Sequence, residues 1–133
     1  MVHVRPRPTA AVVLAAAAVL LPGCSSASAP QVEQVARTFE DPSGDPGQRC
    51  DLLAPATVAA FEKDVSADCA EAVQDLPLGG GNVESVEIWG GNAQVRLTGD
   101  TVFLTETPAG WRVTSAGCAP RAEAPYDCEV DGP

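Results

Sequence analysis

The sequence predicts an α+β domain in which short helices come before an antiparallel sheet. Apolar residues recur at three- and four-residue spacing in the first half of the chain and at two-residue spacing in the second half. The period changes at residues 78–82, a glycine-rich break that suits neither a helix nor a strand. Helices that precede a run of strands, rather than alternating with them, are typical of α+β folds.

The helical half is predicted to consist of short helices. Residues 31–40 carry one apolar stripe, formed by Val32, Val35, Ala36 and Phe39. Two prolines and two glycines in residues 41–47 end this helix. Residues 48–76 are predicted to be helical in short pieces, with Pro55 opening one helix and Ser66 as the N-cap of the next.

The second half predicts a four-stranded antiparallel meander with one face available to the helices. Alternation of apolar and polar residues within the strands supports this interpretation, and glycine-containing turns separate them. Residues 99–100 suit a two-residue hairpin loop. Residues 117–133 are predicted to form a proline-containing tail. The four predicted strands are residues 83–89, 93–98, 101–107 and 111–116.

The first residues have the three-part layout of a secretory signal. His3, Arg5 and Arg7 form a basic start, and residues 10–21 are an unbroken apolar run. The run is too short for a permanent transmembrane helix, which needs about 20 residues. The sequence Leu21-Pro22-Gly23-Cys24 resembles the lipobox of bacterial lipoproteins, in which the cysteine receives a diacylglyceryl group and becomes the mature N-terminus.

This resemblance implies a division of the chain into three parts. Residues 1–23 are predicted to be a lipoprotein signal peptide, residues 24–30 the lipidated Cys24 and a linker, and residues 31–133 one domain. The predicted location is the outer face of the cell membrane, where two acyl chains hold a protein stably. An ordinary cleaved signal followed by a spare cysteine is the alternative.

Charge disfavours two classes of partner. The chain has a net charge of −10, and removal of Arg5 and Arg7 with the signal changes it to −12. An acidic surface repels the phosphates of nucleic acids and the headgroups of anionic lipids. The predicted partners are therefore the membrane, through the lipid anchor alone, and an envelope protein or a small ligand.

The cysteine count predicts two disulfides. Setting Cys24 aside leaves an even number of cysteines, and in an exported domain these are expected to pair. Cys50–Cys69 and Cys118–Cys128 are favoured among the three possible pairings because each joins neighbours in sequence. A zinc site is the weaker alternative, since no Cys-x-x-Cys motif occurs and no histidine follows Cys24.

The residues offer little catalytic chemistry. The only histidine is His3, so a histidine general base is not expected in the mature chain. Lys63 and Ser66 have the spacing of a Ser-Lys dyad, but a surface lysine beside a capping serine is the preferred interpretation. No cofactor or metal is implied. Acidic residues could bind a cation or act as acid-base groups, but a solvated helix surface and turn-forming aspartates are the preferred interpretation. These residues are Asp41, Asp45, Glu62, Asp64, Asp68 and Glu71.

Four residues are candidates for ligand or partner contact. Tryptophans supply large contact areas, and arginines can clamp a ligand carboxylate. Packing of the tryptophans in the core or on a sheet face, and cross-strand pairing of the arginines with Glu87 or Glu106, are the preferred interpretations. The candidates are Trp89, Arg96, Trp111 and Arg112.

Several motifs resemble those of a group of small actinobacterial lipoproteins whose activity is uncharacterised. They are CDLLAPAT at 50–57, VEIWG at 86–90, AQVRL at 93–97, GDTVFLT at 99–105, GWRV at 110–113, GCAPR at 117–121 and PYDC at 125–128. The resemblance implies a common fold and location, and no activity. The order of elements also resembles nuclear-transport-factor-2-like and cystatin-like folds.

These observations predict a non-catalytic binding or scaffolding module of the cell envelope, anchored by lipid. The alternative is a domain with a pocket for a small molecule or, less favoured, a carboxylate-based enzyme on a nuclear-transport-factor-2-like fold. Enzymes of that fold commonly use an Asp/His pair, and no histidine follows Cys24 to take that role.

Overall fold

Helices followed by a sheet make up the computed structural model, which describes residues 2–4, 24–123 and 125–133. The helices are α1 (Cys24–Glu40), α2 (Pro46–Asp51), α3 (Pro55–Val65) and α4 (Cys69–Ala72), and the 3-10 helix Val73–Asp75 follows them. The strands are β1 (Val83–Trp89), β2 (Asn92–Leu97), β3 (Thr101–Thr107), β4 (Gly110–Ala119) and β5 (Asp127–Asp131). The predicted α+β class is confirmed.

The sheet is an antiparallel meander in which each strand pairs with the next along the chain. The prediction of four strands is corrected, because β5 lies in residues that were predicted as a tail. Its sequence is mostly acidic, but Val130 is fully buried opposite Ala116 of β4. Segment 52–54 lies beside the other half of β4, where the N–H of Ala54 donates to the carbonyl of Val113 at 2.8 Å.

Both predicted disulfides are present. Cys50–Cys69 joins α2 to α4. Cys118–Cys128 joins β4 to β5, and the two cysteines are directly opposite each other in the strand register. Each bridge therefore fixes a short element that has little apolar surface of its own.

The core lies between the helices and one face of the sheet. Val32, Ala36 and Phe39 of α1 are fully buried, which confirms the stripe predicted for this helix. They belong to the same apolar cluster as the inward-facing residues of β2, β3 and β4. The main contributions of the sheet are Ala93, Val95, Val102, Leu104, Trp111, Val113 and Ala116.

Helix α1 begins at Cys24 rather than at residue 31, so it includes residues 24–30 that were predicted as a linker. Alanine and serine in this stretch are compatible with a helix, and Pro30 lies inside it. Apart from residues 2–4, the predicted signal peptide lies outside the described residues. No helix in the described part of the chain is both long and apolar enough to cross a bilayer.

Two local predictions are corrected by the backbone. Ser66 ends α3 in a left-handed conformation, and Asp68 precedes the first residue of α4. The turn between β2 and β3 consists of Thr98 and Gly99, because the N–H of Leu97 donates to the carbonyl of Asp100 at 2.8 Å. Asp100 therefore lies directly before β3 rather than in the exposed turn.

Candidate functional site

The two faces of the sheet differ in what covers them. Ala93, Val95 and Leu97 of β2 face the helices and are buried. The residues between them face the opposite side, which we call the outer face. Asn92 and Arg96 on this face are exposed. The outer face is thus the surface of the sheet that the helices leave open.

The four candidate contact residues do not form one site. Trp89 pairs with Asn92 at the end of β1, so it lies on the outer face, where 49% of its surface is exposed. Arg96 lies on the same face farther along the sheet. Trp111 packs in the core with only 7% of its surface exposed. Arg112 is half-buried and donates to the carbonyl of Trp111 at 2.9 Å.

The predicted cross-strand ion pairs do not form among the described residues. Arg96 lies opposite Ser85 and Thr101, and Arg112 lies opposite Thr105. The ion pairs of the described chain instead join Arg37 to Glu33 and Arg121 to Asp127. The guanidinium group of Arg96 therefore stands at the surface without a carboxylate partner from the described part of the chain.

Arg96 lines an open groove of about 540 Å³ at the end of the sheet where β2 meets β3. Tyr126 forms another wall, and its ring meets the ring of Phe103 edge-on with 5.0 Å between the centroids. The hydroxyl of Tyr126 also accepts from the amide of Gln94 at 3.3 Å. These contacts hold the segment before β5 against the outer face, and they give the groove one aromatic wall.

The groove also carries acidic groups. Glu84 sits at a bulge in β1, where the register with β2 shifts, and Glu129 of β5 lies on the other side. A bulge redirects the extra side chain, which is how Glu84 reaches the same groove as Arg96. An arginine with two carboxylates around it favours a zwitterionic or hydrogen-bonding ligand over a simple anion.

Next to this groove lies a pair of buried carboxyl groups, Glu40 at the end of α1 and Asp100 directly before β3. Glu40 is 5% exposed and Asp100 is 9% exposed. Both oxygens of Asp100 accept backbone N–H groups at 2.7–2.8 Å. One oxygen of Glu40 accepts the N–H of Gly80 at 3.0 Å. The three donors to Asp100 are the N–H groups of Thr101, Gly117 and Cys118.

The carboxyl group of Glu40 is protonated at neutral pH. Burial, and then the hydrogen bond and the charge of Asp100, raise the pKa of Glu40 to about 9, while the Gly80 N–H and Arg49 act in the opposite direction. The second Glu40 oxygen is buried and has no N–H donor. A protonated Glu40 resolves this, because its O–H donates to Asp100. The pair therefore links α1 to the sheet at neutral pH.

Close backbone packing covers the pair. A Cβ atom at Gly79 would overlap the carbonyl oxygen of Gly99, so only glycine fits there. Gly117 has a φ of 66°, and its N–H reaches Asp100 from this left-handed conformation. The glycines thus allow three chain segments to meet around two carboxyl groups.

Arg49 is also buried, and its role is structural. Its Nε donates to the carbonyl of Phe39 at 2.8 Å, and its Nη1 donates to the carbonyl of Val73 at 3.1 Å. Its guanidinium carbon lies 5.6 Å from the centroid of the Phe39 ring. These bonds satisfy backbone carbonyls at the ends of two helical segments. No pattern in the sequence predicts the burial of Arg49, Glu40 or Asp100.

The other acidic candidates serve turns and helix ends. Asp41 accepts from both the N–H and the hydroxyl of Ser43, and these bonds lower the pKa of Asp41. Asp45 caps α2 by accepting the N–H of Gln48 at 2.9 Å. Glu62 accepts the N–H of Cys69 at 2.9 Å. Within the described residues, no group of three His, Cys, Asp or Glu side chains is placed to hold a metal ion.

Comparison of the chain with models of protein families, with curated proteins and with solved structures found no match. The resemblance to actinobacterial lipoproteins and to nuclear-transport-factor-2-like folds stays a prediction from the sequence.

Proposed function

We propose that this protein is a lipid-anchored, extracytoplasmic binding module of the cell envelope with no catalytic role. Two features support the proposal. The lipobox-like sequence that ends at Cys24 indicates export and anchoring. The outer face of the sheet offers a surface for a partner, with Trp89 and Arg96 exposed on it.

The observation that supports the binding role is that the helices cover the inner face of the sheet and leave the outer face uncovered. The helices and the inner face meet through side chains that are almost completely buried, including Phe39, Val95 and Val113. A small-molecule pocket between the layers would need space that these side chains fill. We therefore expect a partner to bind at the outer face or along its rim.

A small-molecule site is the second candidate, and the groove beside Arg96 favours it. The groove has about 540 Å³ of space, a guanidinium group and the aromatic wall of Tyr126. It is an open depression on the surface rather than an enclosed pocket. Ligands of drug size are usually held in enclosed sites, so weak binding of a polar compound is the most that this groove supports.

The Glu40–Asp100 pair is the only acid-base arrangement that the described residues suggest for the carboxylate-enzyme alternative. A protonated acid beside an acceptor carboxyl is used in acid-base catalysis. Here, however, backbone N–H groups occupy three acceptor positions of Asp100 and one of Glu40. Substrate would have to displace these bonds, so a structural role fits the pair better.

The lipid anchor is tested by metabolic labelling with a fatty-acid probe in cells that express the full-length protein. We expect labelling of the native protein and none of Cys24→Ala. Ser25→Ala is the matched control and retains the label, because it leaves the lipobox-like residues unchanged. Equal labelling of native protein and Cys24→Ala would refute Cys24 as the lipidated residue.

The binding role is tested by site-specific crosslinking in intact cells. A photoreactive amino acid replaces Trp89 on the outer face or, as the control, exposed Asp64 on α3. We expect discrete crosslinked products from position 89 and few from position 64, identified by mass spectrometry. Products from position 64 alone, with none from position 89, would remove the support for the outer face.

A further inference from the structure

The two edges of the sheet differ in whether another segment of the chain pairs with them. Beyond β4, the sheet continues into β5 on one half and into segment 52–54 on the other. Strand β1 forms the opposite end and pairs with β2 alone among the described residues. An unpaired strand edge presents a row of free N–H and C=O groups that another chain can bind.

The direction of the free backbone groups follows from the pairing of β2. Leu97 bonds to Asp100 on the β3 side, so the odd positions of β2 direct their backbone groups to β3 and the even positions to β1. Glu87 of β1 pairs with one of those even positions and bonds inward. Val86 and Ile88 therefore direct their N–H and C=O groups away from the sheet.

The side chains along this edge select a partner by charge. Strand β1 has the sequence VESVEIW, with Glu84 and Glu87 exposed and no basic residue. Trp89 lies on the same outer face as Glu87, two residues further along. A basic side chain opposite Glu87 would meet a carboxylate and lie close to the ring of Trp89, an arrangement that favours cations.

We propose that the free edge of β1 binds an extended, basic segment of an envelope protein, which adds a strand to the sheet beside Val86 and Ile88. Such strand addition takes its affinity from backbone hydrogen bonds and its specificity from alternate side chains. A second copy of this chain is a poor occupant, because it would bring two acidic edges together on molecules of net charge −10. The inference rests on the proposed binding role and deepens it, but does not depend on the lipid anchor.

The test uses the intact protein in non-ionic detergent and synthetic peptides of about nine residues, near the upper end of strand lengths and long enough to pair along all of β1. One peptide alternates valine with lysine, and the other alternates valine with glutamate. Hydrogen exchange measured by mass spectrometry reports where each peptide binds. We expect the lysine peptide to slow exchange in residues 83–89, and the glutamate peptide to have no effect.

A charge reversal sharpens the test. Glu84→Lys combined with Glu87→Lys is expected to weaken binding of the lysine peptide about tenfold or more and to permit binding of the glutamate peptide. The control reverses two exposed acidic residues on other elements, Asp64→Lys with Glu71→Lys, and keeps the affinity within about twofold of the native value. Both variants change the net charge equally, so the control separates the edge from general attraction.

Three outcomes would overturn the proposal. They are slowed exchange at a segment other than 83–89, equal weakening by the control variant, and absence of binding at about 1 mM peptide, the weak end of the affinity scale. The broader binding role fails separately. Crosslinks from position 89 in cells would keep that role even if no basic strand binds at β1.

Discussion

The inner face of the sheet is buried against the helices, whereas the outer face exposes large side chains to solvent. The inner face is packed against α1 by fully buried residues, and the rim of that interface holds the Glu40–Asp100 pair and Arg49. The outer face carries Trp89 and Arg96 at the surface. Most of the folding free energy is expected on the first face, because apolar burial is the dominant favourable term.

The polar groups of the two faces differ in the same way. Buried Glu40, Asp100 and Arg49 are held by backbone groups of this chain. Exposed Arg96 has no carboxylate partner among the described residues. A satisfied buried group specifies the fold, whereas an exposed group without a partner remains available to another molecule. Mutations on the two faces should therefore separate stability from binding.

The largest effect is expected at Phe39, the biggest fully buried side chain of the inner interface. Phe39→Ala should lower the free energy of unfolding by about 3–5 kcal/mol, because it leaves a cavity and removes the ring beneath Arg49. Denaturant unfolding measures this. Arg37→Ala, an exposed site on the same helix, should change stability by less than about 0.5 kcal/mol. Similar losses at both sites would contradict the assignment of the inner face.

Removal of a disulfide should have the next largest effect. Cys50→Ala with Cys69→Ala should cost about 3 kcal/mol, because the bridge limits the entropy of the unfolded chain. The Cys118–Cys128 bridge closes a shorter loop, so Cys118→Ala with Cys128→Ala should cost about 0.5 kcal/mol less. Thermal unfolding of both variants, with the native protein under reducing conditions as a third arm, gives the order. A neutral Cys50–Cys69 removal would show that the helical half is held by packing alone.

The carboxyl pair makes stability depend on pH. The pKa of Glu40 is about 9 in the folded protein against 4.5 for the free group, so the folded state binds more protons between these values. The contribution of Glu40 to stability is therefore fully present below about pH 4.5 and is lost as the pH rises towards 9, by at most about 1.4 kcal/mol per pH unit. Urea unfolding at several pH values measures the slope.

Glu40→Gln should flatten this slope. Its amide can donate to Asp100 and accept from Gly80 without titrating, so it mimics the protonated acid. The variant should match the native protein near pH 4.5 and exceed its stability increasingly up to pH 9. Glu71→Gln, at an exposed carboxyl group, should keep the native slope. Parallel curves for Glu40→Gln and native protein would show that Glu40 holds no extra proton.

The sequence predicts the features of this fold that depend on near neighbours. The stripe of α1 and the alternation in β2 are visible because one face of each element is apolar. Both disulfides follow from cysteine count and proximity in the chain. Strand β5 was missed because Val130 is its one fully buried residue, and acidic neighbours make the segment look like a solvated tail.

The buried polar groups were missed for a related reason. Glu40 ends a helix and Asp100 follows a glycine in a turn, and both are positions where exposed carboxylates are common. Their burial arises only when α1, the 79–81 segment and β4 meet in three dimensions. The same limit applies to the two tryptophans. Trp89 is exposed and Trp111 is buried, but the residues around them in the sequence do not distinguish the two environments.

The smallest expected effect is that of a substitution at Trp89 on the outer face, and Trp111 in the core is the contrasting site. Trp111→Ala should lower the free energy of unfolding by about 3–5 kcal/mol because it empties part of the core. Trp89→Ala should change it by less than about 0.5 kcal/mol, because about half of the surface of this side chain is already exposed to solvent. Urea unfolding of both variants, done in parallel, gives the difference. A cost at Trp89 comparable to that at Trp111 would mean that the outer face is packed rather than open, and a partner surface would have to be sought elsewhere on the molecule.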